Sequence, residues 1–234
     1  MENFSTSTSR AMTQEKVSAL FKNMYMQMAS ALALTGVTAY VLSESTAFMT
    51  YLFFNPWIWW VCVLAQIGLV MFLSARVMRM STNVATLIFV LYSMLTGVTL
   101  STIFLVYSMD TIATTFFVTA GTFLAMSLIG YFTKADLTKM GHILHMLLIG
   151  MVIATVVNIF VASSGLYWIT TYAGVLIFVG LTAYDTQKIK QIFYQHGAAD
   201  ESGYKMALLG ALTLYLDFIN LFLFLLRILN GSRN

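Results

Sequence analysis

Asp217 lies near the middle of the last apolar stretch of this chain, 11 residues from one end of the run 206–229 and 12 from the other. A charge at that depth in a membrane costs on the order of 2.5–3.5 kcal/mol by insertion scales, so a function is the default reading. Nothing in its own helix neutralises it, because Arg227 is ten residues on, about 15 Å along the axis. Thr213 at i−4 and Asn220 at i+3 share its face and make a polar stripe. A second carboxylate, Asp185, ends the sixth apolar run. With the sixth helix starting near Trp168, Asp185 is about 25 Å from the outer face, against about 18 Å for Asp217. Helix tilt and unequal helix starts can absorb that difference and let the two meet in the cytoplasmic half of a bundle.

The chemistry of such a meeting is specific. Two carboxylates in a low-dielectric site repel, so they share a proton and titrate in two coupled steps. Ionised, they offer hard oxygens to a divalent cation such as calcium. Arg76 and Arg79, three apart on one helical face at the end of the second span, could close the pair as a cationic latch. The bland alternatives stand beside these. Asp217 could be a hydrogen-bonded structural residue holding helices together, Asp185 a solvated helix end, and the arginines an ordinary basic flank. His142 and His145 have a metal-compatible spacing, but Asp136 is the only further ligand type near them.

The elements that must position these residues are membrane helices. Of 234 residues, 59% are hydrophobic and 9% charged, and the mean hydropathy is +0.83. Soluble domains carry about 25% charged residues, so a water-soluble globule is excluded. Apolar runs fall at 24–43, 52–74, 83–107, 111–132, 143–162, 166–186 and 206–229. Each is long enough to span about 30 Å of hydrocarbon. The break at 162–166 is the weakest, marked only by Ser163, Ser164 and Gly165. The single proline, Pro56, starts the second span beside Trp57, Trp59 and Trp60, an interfacial aromatic belt. Residues 1–23 read as a polar tail, 24–229 as a seven-helix transmembrane domain, and 230–234 as a short C-terminal tail.

Alternate segments hold ten of the twelve basic residues: Arg10, Lys16, Lys22, Arg76, Arg79, Lys134, Lys139, Lys188, Lys190 and Lys205. By the positive-inside rule the N-terminus is cytoplasmic. A net charge of +3 is too small to imply a nucleic-acid partner, and the lone Cys62 makes no intrachain disulfide. No nucleotide loop, HExxH or GxSxG motif is present, and the last span has no Schiff-base lysine. An enzyme is therefore not expected, and no cofactor is needed.

The stretches Gly180-Leu-Thr-Ala-Tyr-Asp-Thr-Gln187 and Leu212-Thr-Leu-Tyr-Leu-Asp-Phe-Ile-Asn-Leu-Phe222, followed by Leu225-Leu-Arg227, resemble the Bax inhibitor-1 family of transmembrane proteins. Ser74-Ala-Arg76 and Leu95-Thr-Gly-Val-Thr-Leu-Ser101 are similar to that family's second and third spans. The resemblance covers residues 20–230 or so. It implies an all-α fold with the seventh helix central between two three-helix layers. It also implies a pH-sensitive calcium leak channel in which Asp185 and Asp217 match the family's paired aspartates and Arg76 or Arg79 its latch. The tail Asn230-Gly-Ser-Arg-Asn234 lacks the lysine-rich ending of animal members, which points to a bacterial inner membrane. Calcium, protons and the bilayer are the expected partners. The rival readings are a proton-coupled cation exchanger and a non-transport regulator that binds a protease or another membrane partner.

Overall fold

The computed structural model describes residues 2–196 and 200–231. Nine α-helices form among them: α1 (Glu2–Ser43), α2 (Thr46–Phe54), α3 (Pro56–Arg76), α4 (Thr82–Leu100), α5 (Ile103–Val106), α6 (Met109–Phe132), α7 (Thr138–Val161), α8 (Ser164–His196) and α9 (Glu201–Gly231), with a 3-10 turn at Val77–Arg79. No strand occurs among the described residues. Seven of the helical segments are long and apolar enough to cross a membrane. The chain is an all-α, seven-span membrane protein.

The helices outrun the apolar runs that signalled them. The first helix takes in most of the polar segment before residue 24, α8 continues beyond 186 to His196, and α9 begins at Glu201 rather than 206. Bilayer thickness limits the length of an apolar run but not of a helix. Neither proline nor glycine interrupts the chain before Gly36, nor between Leu181 and His196. At the C-terminus Asn230 and Gly231 complete α9, and 232–234 lie outside the described residues. The second apolar run is divided. Leu52–Phe54 belong to α2, and α3 starts at Pro56, where a missing N–H costs nothing.

The third run is divided too, by its own hydroxyls. Thr99, Ser101 and Thr102 each donate to the carbonyl three residues back, at 2.7–2.9 Å. The backbone tightens to i−3 bonds at Phe104 and Leu105, and α4 gives way to α5. The weak break at 162–166 is real. Ala162 ends α7 in the left-handed conformation, φ 51°, and the Asn158 side chain accepts from the Ser163 N–H at 2.9 Å. Ser163 Oγ then accepts from the Leu166 N–H as α8 begins.

The chain forms two compact units, Met1–Val106 with Ile192–Tyr215, and Tyr107–Gln191 with Leu216–Asn234. In the first, α1 packs closely on α4, where a Cβ on Gly97 would lie 2.7 Å from the Thr35 carbonyl oxygen. Thr35 Oγ1 donates to the Ser93 carbonyl at 2.9 Å and accepts from the Tyr215 hydroxyl at 2.7 Å. Tyr215 is fully buried, edge-on to Phe89 and Tyr92. Gln66 on α3 donates to Leu95 O and Thr99 Oγ1 of α4. Glu201 Oε1 accepts from both Thr82 N and Thr82 Oγ1, supplying α4 with a cap from α9, and pairs with Lys205 at 3.0 Å. In the second unit Met151, Ile177, Phe178, Leu181, Tyr184 and Leu221 form the buried apolar cluster. The last helix is the most buried of the seven spans.

Candidate functional site: a buried aspartate pair

The second unit is packed around α8. A Cβ on Gly130 of α6 would overlap the Ala183 carbonyl, and one on Gly141 of α7 would overlap the Tyr184 ring. Only glycine admits helices this close, so α6 and α7 reach α8 at Ala183 and Tyr184, next to Asp185. Polar contacts then fix the C-terminal part of α8. Gln187 accepts from Leu137 N at 2.9 Å and donates to Ala135 O at 2.8 Å, tying down the loop 133–137. Lys190 donates to Tyr131 O at 2.6 Å and lies over that residue's ring at 4.6 Å. Thr186 donates to Ser127 of α6 at 3.4 Å.

Against this frame Asp185 and Asp217 come together. Asp185 is 6% exposed and Asp217 5%, and their carboxyl groups lie within hydrogen-bonding reach of each other. Two carboxyl groups placed so bond to each other only when a proton lies between them. Asp217 Oδ2 is buried with no partner. The other titratable groups whose fields reach Asp185 are His145 and Lys188. His145 is held by a 2.8 Å bond between Nδ1 and Gly141 O and stands edge-on to Tyr184.

The remaining sequence candidates divide. Thr213 and Asn220 flank Asp217 along α9, half-buried, each donating to its own helix: Thr213 to Leu209 O at 3.0 Å and Asn220 to Leu216 O at 2.8 Å. With its proton committed, Thr213 keeps only oxygen lone pairs to offer. Arg76 ends α3 and Arg79 ends the 3-10 turn, both exposed, and both belong to the first unit whereas the aspartates belong to the second. Among the described residues no group of three or more His, Cys, Asp or Glu is arranged to hold a metal. Gln187 and Lys190 escaped the sequence reading as site-builders. Their adjacency to Asp185 on α8 was the available signal.

The family described as "Inhibitor of apoptosis-promoting Bax1" matches residues 17–234. The chain belongs to the Bax inhibitor-1 family. It is 48% identical over 234 residues, the whole of both chains, to a protein of Escherichia coli called inner membrane protein YbhL. An uncharacterized protein of Borreliella burgdorferi is 46% identical over 228 residues, covering 95% of this chain and 98% of its own. Another, of Rickettsia prowazekii, is 42% identical over 230 residues, covering 98% and 97%. The match takes in six membrane spans whole, the first from residue 17, and both aspartates, so the site of this Bax inhibitor-1 family member lies wholly within the shared region.

Proposed function

We propose that this Bax inhibitor-1 family protein is a passive, pH-sensitive calcium leak channel of a bacterial inner membrane, gated by protonation of the Asp185–Asp217 pair. The close approach of two buried carboxyl groups carries this reading. Gaining or losing one proton changes the charge there by one unit in a medium where charge is expensive. Protonated, the pair ties α8 to α9 without net attraction for a cation. Ionised, the two groups repel and present oxygens that calcium, the transported ion, can use. In this scheme Arg76 or Arg79 acts as the latch that favours the closed state when the pair is charged. The basic residues on alternate segments support a cytoplasmic N-terminus. The E. coli relative's name supports the inner membrane as the location.

Purified protein in liposomes with a trapped calcium dye tests this directly. Calcium entry is expected to change between pH 6 and 8, to need no opposing proton gradient, and to lose its pH dependence in Asp217→Asn. Flux driven only by a counter-gradient would make the protein an exchanger. No flux above empty liposomes at any pH would leave the aspartates as structural glue and turn attention to a protein partner.

A further inference from the structure

Arg227 stands apart from the other cations of the second unit. Lys134, Lys139, Lys188 and Lys190 lie at the end where α6 finishes, α7 begins and α8 runs on towards His196. Arg227 lies at the opposite end, four residues before α9 stops at Gly231. That is about 6 Å along the axis. Tyr167 and Trp168, in the first turns of α8, mark the same level as an interfacial aromatic belt. The guanidinium therefore sits at headgroup depth, where a charge needs either water or a counter-ion.

No carboxylate supplies that counter-ion. Among the described residues the salt bridge joins Lys205 to Glu201, and Asp110 in the first turn of α6 does not pair with Arg227. Aromatic rings hold the guanidinium instead. It lies 5.5 Å from the Tyr167 ring centroid and 5.3 Å from that of Phe224. Phe224 is itself fixed, stacked on Phe178 at 5.9 Å and seated at Gly174, where a Cβ would meet its ring at 2.7 Å. Ring faces attract the charge but leave its five N–H donors without an oxygen acceptor. Tyr107, half-buried just before α6, is near enough for Arg227 and Tyr167 to act on its hydroxyl. A cation held in place by rings and flanked by two phenol hydroxyls is a donor set with nothing on the protein to receive it. Water can take up the N–H groups but not the charge. A phosphate takes up both, and its paired oxygens match the guanidinium fork.

We propose that Arg227, with Tyr107 and Tyr167 beside it, binds the phosphate group of a phospholipid in the leaflet at the C-terminal end of α9. The lipid brings its phosphate to this depth already, whereas a free anion would have to leave bulk water to reach it. The site stands independently of calcium conduction.

Native mass spectrometry of the full-length protein with added phosphatidylglycerol tests this, diacylglycerol of the same chains and inorganic phosphate serving as comparison probes. Phosphatidylglycerol is expected to be retained over diacylglycerol. Arg227→Gln should weaken its binding about tenfold or more, as the loss of a charge-assisted hydrogen bond does. Arg227→Lys, which keeps the charge and loses the fork, should weaken it less. Lys139→Gln, an exposed cation at the other end of the unit, should leave it unchanged. Tyr107→Phe leaves both stacked rings in place and should weaken binding about threefold, which keeps the test open if Arg227→Gln does not fold. Equal losses in Arg227→Gln and Lys139→Gln would overturn the proposal in favour of general attraction to cationic surface. Equal retention of diacylglycerol would overturn it too. Displacement of the lipid by inorganic phosphate would overturn the lipid as the source and make this a site for a free anion.

Discussion

Asp217 and Asp185 bring two buried carboxyl groups within hydrogen-bonding reach of each other, and Asp217 Oδ2 is buried without a hydrogen-bond partner. A pair joined by one proton behaves as a unit, so its members should not contribute separately. In the liposome assay Asp185→Asn, Asp217→Asn and the double variant are expected to show the same flattened pH profile. A double variant whose loss equals the sum of two independent losses would mean that the carboxyl groups act at separate sites.

Gly130 and Gly121 lie on the same helix and should respond oppositely to one methyl group. A Cβ at Gly130 meets the backbone of Ala183, which cannot move aside, so Gly130→Ala should destabilise by about 1–3 kcal/mol. Gly121 has open space around its Cα, and Gly121→Ala should be neutral or stabilising by up to about 1 kcal/mol. Thermal unfolding in detergent separates the two. Equal effects would show that α6 does not press on α8 at that point.

Ala162 holds a conformation that an L-residue with a Cβ adopts at a cost of about 1–2 kcal/mol. Ala162→Gly relieves it, offset in part by the freer unfolded chain. The net expectation is a gain of about 0.5–1 kcal/mol, read as a higher melting temperature. A lower one would mean that the alanine methyl makes contacts worth more than the strain.

Asp200 caps the start of α9, accepting from Ser202 Oγ at 2.6 Å, Ser202 N at 2.9 Å and Gly203 N at 3.1 Å. The Ser202 side-chain bond first, and the backbone bonds with it, hold its carboxyl below the ordinary value of 3.8. A group depressed in the folded state stabilises above its unfolded value and loses that contribution as pH falls through the folded one. Protection of the Ser202 and Gly203 amides, taken relative to their intrinsic exchange rates at each pH, should therefore be high at neutral pH and fall as pH drops below 3.8. Asp200→Ala should remove that acid dependence. A pH-independent protection in the native chain would mean that the cap is not what holds this turn.

The seven spans were legible because apolar run length is set by the bilayer, a constraint that no tertiary contact overrides. Helix ends were not, since Asp200 rather than the apolar onset at Met206 starts the last one, and the hydroxyls of Thr99, Ser101 and Thr102 divide the third. Asp217 stood out as a carboxylate at mid-span with no partner in its own helix. Asp185 did not stand out by itself, because a residue at the end of an apolar run reads as solvated unless the helix continues, and α8 continues to His196.

Between Val161 and Ser164 the chain has two linking residues, Ala162 and Ser163, and both are fixed by Asn158. Two residues reach at most about 7 Å, so α7 and α8 must reverse direction at once. The two helices are therefore held as one tight hairpin, and the depth of Asp185 is set by α7 as much as by its own helix.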